Sequence, residues 1–185
     1  FLINNAGVFK NKRELSVDGF ELTFAVNHLS YFLLTGLLLD LIKASDYGRI
    51  VNVASMAHAN TLDFDNLQGE KFYDGYDAYS RSKLCNIMFT YLLAKNLGKT
   101  HLTTNVLHPG VISTKLLHEG FGGGGSEISL GSQTSVYLAS SSDVNMVSGK
   151  YFSNKRIASS SQISFDIAIQ NKLWELSEEY TGLNY

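Results

Sequence analysis

Arg49-Ile50-Val51-Asn52-Val53-Ala54-Ser55 decides the fold. The run is short, β-branched and preceded by Gly48, a pattern that suits a central parallel strand buried on both faces. Similar runs lie on either side of it. Phe1 to Ala6 ends in Gly7, Leu102 to Leu107 is broken by His108-Pro109-Gly110, and Gly149-Lys150-Tyr151-Phe152 reads as a last short strand. Between these strands the pattern is helical. One buried helix is expected from Ser16 through Leu41-Ile42, and another from Tyr76 to Leu97, with Leu84, Met88, Tyr91 and Leu92 on one stripe and Gly98 as its cap. Helices are also expected over Ile128 to Ser140 and Phe165 to Glu179. Met56 to Gly75 and the stretch after Gly110, through the glycine cluster to Ser126, read as loops; the first is too long for an idle connection. Strands alternating with helices predict an α/β fold with a parallel sheet, in one domain over residues 1–185.

Composition bounds the function classes. The 185 residues are 44% hydrophobic and 17% charged, which argues against disorder. A formal charge of −2 leaves no basic surplus for a phosphate backbone, so nucleic acid is not an expected partner. The single cysteine, Cys85, cannot form an internal disulfide, and no Asn-x-Ser/Thr acceptor occurs, so a reducing compartment is the default. The longest stretch free of charge and histidine, Leu29 to Leu39, is too short for a spanning helix, and no membrane span is expected. The apolar opening Phe1-Leu2-Ile3 reads like the inside of a buried strand, and so like a fragment of a longer protein.

Tyr79-Ser80-Arg81-Ser82-Lys83 is the first constellation with a mechanism. A separation of four on a helix puts the phenol and the ammonium on one face. A fixed cation beside a tyrosine favours the phenolate and makes the hydroxyl a proton donor or acceptor near neutral pH. Alone, the pair also fits an ordinary surface contact. Its neighbours add weight: Ser55 ends the central strand, where open α/β sheets bind ligands in the crevice, and its hydroxyl can hold a carbonyl. Asn27, an amide amid apolar residues, needs buried partners, and an ordered water is a natural one. Asn4-Asn5-Ala6-Gly7 and His108-Pro109-Gly110 each follow a strand with small residues that admit a ligand to the backbone.

Other features carry less. His28, His58, His101, His108 and His118 form none of the close pairs of a zinc site, so no metal is expected. Cys85 reads as a small buried hydrophobe. Gly120-Phe121-Gly122-Gly123-Gly124-Gly125 spells a dinucleotide fingerprint but follows a loop rather than a strand. Gly98-Lys99-Thr100 imitates a phosphate loop, yet Leu93 stands where its leading glycine belongs.

Asn4-Asn5-Ala6-Gly7, Asn27, Ser55, Tyr79-x-x-x-Lys83 and Pro109-Gly110, in that order, resemble the short-chain dehydrogenase/reductase family. Val26-Asn27-His28-Leu29, Arg49 to Val53, Ala57-His58 and Ser82 to Asn86 are most similar to its retinol dehydrogenase and WW-domain oxidoreductase branch. The resemblance runs from Phe1 to Leu183. It implies a Rossmann-type doubly wound parallel sheet that lacks its N-terminal βαβ units, and hydride transfer between NADP or NAD, with NADP preferred, and a carbonyl or alcohol. Under it Tyr79 donates the proton in reduction, Ser55 bonds the substrate oxygen, Lys83 lowers the Tyr79 pKa and binds the nicotinamide ribose, and Asn27 holds a water in a proton relay. Asn5, Ala6 and Gly7 line the adenosine side, while Pro109, Gly110, Ile112 and Thr114 meet the nicotinamide end.

The family's glycine-rich phosphate turn precedes the Asn-Asn-Ala-Gly strand and is not in this sequence. The resemblance therefore implies an open apolar edge at the first strand and weak or absent cofactor binding by these residues alone. The segments Phe72 to Tyr76 and Leu116 to Ile128 flank the active site in this family, and their aromatic and apolar residues suggest a small hydrophobic substrate: a retinoid, steroid or lipid aldehyde. A homodimer through the 76–97 helix and an intracellular location, cytoplasmic or membrane-associated through a segment before Phe1, are also implied. The rivals are a non-catalytic scaffold that retains the fold, an inactive fragment, and a sugar-nucleotide epimerase; only 102 residues follow Lys83, little room for the epimerase's substrate domain.

Overall fold

The computed structural model describes residues 1–185. Strands β1 (Leu2–Asn4), β2 (Arg49–Val53), β3 (Thr103–His108) and β4 (Tyr151–Ser153) lie side by side and parallel in that order. The helices are α1 (Leu22–Lys43), α2 (Gly75–Leu97), α3 (Lys115–Phe121), α4 (Ile128–Gly131), α5 (Gln133–Ser140) and α6 (Ile167–Thr181). A fifth strand, β5 (Arg156–Ile157), pairs antiparallel with β4 and corrects the reading of Gly149 to Phe152 as the last strand. The hairpin is made by Asn154 and Lys155, both at positive φ (49° and 61°), as a tight two-residue turn requires. Lysine at a position that usually takes glycine hid the turn.

The central strand is wholly buried, and its alternation explains the two layers. Ile50 packs with Phe32, Leu39, Phe89 and Leu93 under α1 and α2. Val51 and Val53 face the other way, onto Leu138 and Ala139 of α5. Helices on both faces of a parallel sheet make this a Rossmann-type doubly wound α/β arrangement. At the outer edge β1 pairs only with β2, and Ile3 is 42% exposed.

Helix α1 begins at Leu22 rather than Ser16. The buried Glu21 carboxylate accepts the N–H groups of Thr23 (2.8 Å) and Phe24 (2.7 Å) and caps the helix there, while Ser16 closes a separate turn with Phe20. One turn further on, Ser30 N–H reaches back five residues to Ala25, widening the helix around Asn27. By length and composition α1 could cross a membrane, contrary to the reading from its charge-free stretch, but half of it is buried as a core helix.

Buried amides stitch the layers together. Asn4 Nδ2 donates to Asn52 Oδ1 (2.7 Å) and Thr35 Oγ1 (3.0 Å), and Asn52 Nδ2 donates to Thr90 Oγ1 (2.9 Å), linking β1, β2, α1 and α2. Helix α6 lies on α2, the helix on which the resemblance places a dimer partner. Leu173 packs with Leu84 and Met88, Trp174 meets Phe89 at 5.7 Å, and Ser177 Oγ lies 2.9 Å from His28 Nε2.

Burial pushes the His28 pKa from 6.5 down to about 4, so the ring is neutral in the folded chain. Between these values the unfolded state binds the extra proton, and stability present above pH 6.5 is lost as the pH falls toward 4. The loss is roughly 3 kcal/mol. Urea unfolding at pH 7 and pH 4.5 should show a smaller drop for His28→Gln than for the wild type; equal drops would contradict the buried neutral imidazole.

Candidate active site

Nearly all the residues singled out in the sequence line one cavity of about 1050 Å³ at the carboxyl ends of β1, β2 and β3. Asn5, Ala6 and Gly7 leave β1; Ser55 follows β2; Tyr79 and Lys83 project from α2; Pro109, Gly110, Ile112 and Thr114 follow β3. Asn27 is the exception and stands behind the wall. Its Nδ2 donates to Val8 O (3.1 Å) and Ser82 Oγ (2.9 Å), and its Oδ1 accepts from Val8 N–H (2.8 Å). Both amide hydrogens are thus spent on fixing the chain after Gly7 to α2, so the side chain serves first as a clamp.

Lys83 is buried, and its Nζ donates to Val53 O at 3.2 Å, 5.5 Å from the Tyr79 ring centroid. No carboxylate neutralises it, and burial pushes its pKa down to about 8. Asn86 Nδ2 shares the same carbonyl at 3.3 Å. A Cβ on Gly7 would stand in ordinary contact, 3.5 Å from Lys83 Nζ and 3.7 Å from Asn27 Oδ1, so Gly7 lies directly beside both side chains. An ammonium has three donors. With one carbonyl partner, it retains donors that the hydroxyls of a ribose would satisfy.

The phenol departs from the expectation of a depressed pKa. Tyr79 is 6% exposed, and burial holds its pKa above the ordinary value; the Ser55 hydroxyl opposes this, but desolvation is the larger effect. Lys83, itself pushed toward neutrality, does not reverse the balance. Ser55 is fixed by its neighbours: its Oγ accepts from Ala57 N–H (3.1 Å) and its carbonyl from His58 Nδ1–H (2.7 Å).

The stretch from Gly110 to Ser126 is not a plain loop. Thr114 Oγ1 accepts from Leu117 N–H (3.3 Å) and starts α3, while Ser113 N–H to Ser126 O (2.9 Å) and Ser126 N–H to Val111 O (2.8 Å) clip the ends together as a flap. Gly122 to Gly125 all have positive φ (79°, 98°, 85° and 96°), a sequence of conformations that only glycine takes freely. The glycine cluster therefore shapes the return of the flap after a helix. Phe121 on the flap meets the Tyr79 ring edge-on at 5.6 Å, and Phe9 closes the triangle at 5.7 Å from Tyr79 and 5.6 Å from Phe121. Sequence reasoning missed Phe9: one aromatic in a polar stretch has no periodic neighbours to give it away. It also passed over Met56 and Val111, which line the cavity mouth and are 63% and 48% exposed.

The family model for short chain dehydrogenases matches residues 1–121. Human retinol dehydrogenase 14 is 42% identical over 204 residues, covering 98% of this chain and 58% of the relative; for human retinol dehydrogenase 11 the values are 40% over 192 residues, 98% and 60%. The chain thus spans less than two thirds of the length of these curated relatives. Among solved structures, an uncharacterised protein of Mycobacterium paratuberculosis superposes with a TM-score of 0.81 at 30% identity, over 100% of this chain and 67% of that one. An NADPH-bound carbonyl reductase from chicken fatty liver shares the fold at 21% identity, with a TM-score of 0.59 over 86% and 65% of the two chains.

The aromatic triangle depends on Gly120, where a Cβ would stand 2.6 Å from the Phe9 ring. Gly120→Ala is expected to push α3 off Phe9 and to cost about 1–3 kcal/mol. An unchanged urea midpoint would show that α3 does not rest on Phe9.

Proposed function

The chain belongs to the short-chain dehydrogenase family, and from that membership we propose that its protein is a nicotinamide-dependent oxidoreductase acting on a small hydrophobic carbonyl or alcohol, with retinoids first among the candidates. The observation that carries the reading is the buried Lys83 ammonium with donors to spare, in one cavity with Tyr79 and Ser55. Retinol dehydrogenases at about 40% identity and the apolar lining from Met56, Val111, Leu117 and Phe121 support the substrate class.

In this reading Lys83 bonds the ribose hydroxyls and presents a positive charge to the phenol. Asn5, Ala6 and Gly7 line the adenosine side, and Pro109, Gly110, Ile112 and Thr114 hold the nicotinamide. The nicotinamide, when bound, supplies the hydride in reduction and accepts it in oxidation. Ser55 Oγ donates to the substrate oxygen as negative charge develops there. Tyr79 Oη gives its proton to that oxygen in reduction and takes it back in oxidation; a phenol held protonated by burial is ready for the first direction. Asn27 keeps Gly7 against Lys83 and, through its carbonyl, is proposed to hold the water that returns the proton from solvent. NADP is proposed ahead of NAD.

The test uses the full-length protein with NADPH or NADH and retinal. Tyr79→Phe should lower kcat by about 10²–10⁴-fold with little change in cofactor KM, and NADPH should give the higher kcat/KM. Turnover retained by Tyr79→Phe would overturn the assignment of the proton donor.

A further inference from the structure

Tyr79 lines the cavity and is nevertheless almost sealed, whereas Tyr76, one turn earlier on α2, is 50% exposed. Two rings from outside the helix cover Tyr79. Phe9, buried in the stretch after β1, lies 5.7 Å from its ring, and Phe121, the last residue of α3, meets it edge-on at 5.6 Å with the planes 76° apart. Phe121 also meets Phe9 (5.6 Å) and Tyr76 (5.9 Å) edge-on, so its ring sits in an aromatic socket. Such edge-to-face pairs are both attractive and directional.

Little else holds α3 to the body of the protein. None of its residues is buried, and its polar tie is a long bond from Asn11 Nδ2 to Glu119 O at 3.4 Å. The charges near the cover are engaged elsewhere: Lys115 pairs with Glu119 (3.6 Å), His118 bonds Ser113 (3.2 Å), and Lys10, beside Phe9, pairs with Glu14 (3.0 Å). The titratable groups that bear on the phenol lie beneath it, Lys83 and Tyr76 on α2 and Tyr31 on α1, while His108 lines the same cavity from β3. What the flap brings to Tyr79 is therefore a carbon surface and no charge.

We infer that Phe121 is a positioning residue for the proton transfer at Tyr79: seated against Phe9 and Tyr76, its ring shields the phenol from solvent on the flap side and leaves it to be reached from the cavity. The inference rests on the oxidoreductase reading and gives the flap a part in the chemistry besides lining the pocket. An apolar ring over a phenol disfavours the phenolate, and burial is the largest influence on the Tyr79 pKa. Removing the ring admits water, so that pKa falls. Alcohol oxidation needs the phenolate, and it should then set in at lower pH.

The experiment compares Phe121→Ala and Phe121→Leu with the wild type in the full-length protein; Phe121 is 38% exposed, so shortening it spares the core. With saturating NADP and retinol as the varied substrate, the acidic limb of the kcat/KM profile should move down by about one pH unit in Phe121→Ala. Phe121→Leu, which keeps an apolar cover, should stay close to the wild type. Independently of turnover, carbon-13 spectra of ring-labelled tyrosine in the cofactor-free protein, with the Tyr79 signal assigned by its loss in Tyr79→Phe, should show the phenol titrating at lower pH in Phe121→Ala. An unmoved Tyr79 titration, or a slower Phe121→Ala enzyme with an unmoved pH profile, would overturn the inference. A shifted titration in a protein that turns over neither retinol nor retinal would uphold the shielding and count against the oxidoreductase reading instead.

Discussion

A buried ammonium without a counter-ion is the constraint around which this fold is arranged. Lys83 pays for its burial with a single carbonyl bond, to Val53, so it is tolerated only where the surrounding chain is held rigidly. Val53 supplies that carbonyl because β2 is locked on both sides, by β1 and by β3. Asn86, one turn along α2, bonds the same oxygen, and Ser82, beside Lys83, is tied through Asn27 to the backbone of Val8. Three elements distant in sequence are thereby brought around one charge. Anything that loosened them would expose Lys83 to water and remove the electrostatic reason for the site.

The same economy governs the second layer of polar residues. Asn4, Thr35, Asn52 and Thr90 satisfy one another in the interior, which fixes how α1 and α2 sit on the sheet more sharply than apolar packing alone could. His58 extends the network to the far side of the crevice by joining Ser55 to Ser161. Lys83, with one carbonyl partner, and His108, whose Nδ1 has none, both line the cavity, whereas Thr23 Oγ1, Thr104 Oγ1, Ser161 Oγ and Gln170 Oε1 are buried without partners elsewhere.

The parallel sheet was legible from three short runs rich in apolar or β-branched residues, each bounded on one side by glycine or proline, a pattern that suits strands buried on both faces. The gathering of Ser55, Tyr79 and Lys83 at one cavity was legible from spacing at Tyr79 and Lys83 and from chain order elsewhere. What was hidden depended on contacts between distant residues. Glu21 could not be seen as the cap of α1, because a buried carboxylate looks unlikely until its two backbone donors are in place. The helix Lys115–Phe121 was masked by the glycines behind it, whose positive φ values serve the return of the chain rather than flexibility. The Tyr79 pKa followed desolvation rather than proximity to a cation, which spacing cannot weigh. Asn27 was found, but its clamp on Val8 required the fold.

The central claim is that Lys83 binds the nicotinamide ribose, and calorimetric titration of NADPH into the full-length protein and its Lys83→Met variant tests it most directly. The account predicts saturable binding by the wild type and an affinity at least tenfold weaker in the variant, whose methionine fills the buried space without the donors. Equal affinities in two folded proteins would contradict it.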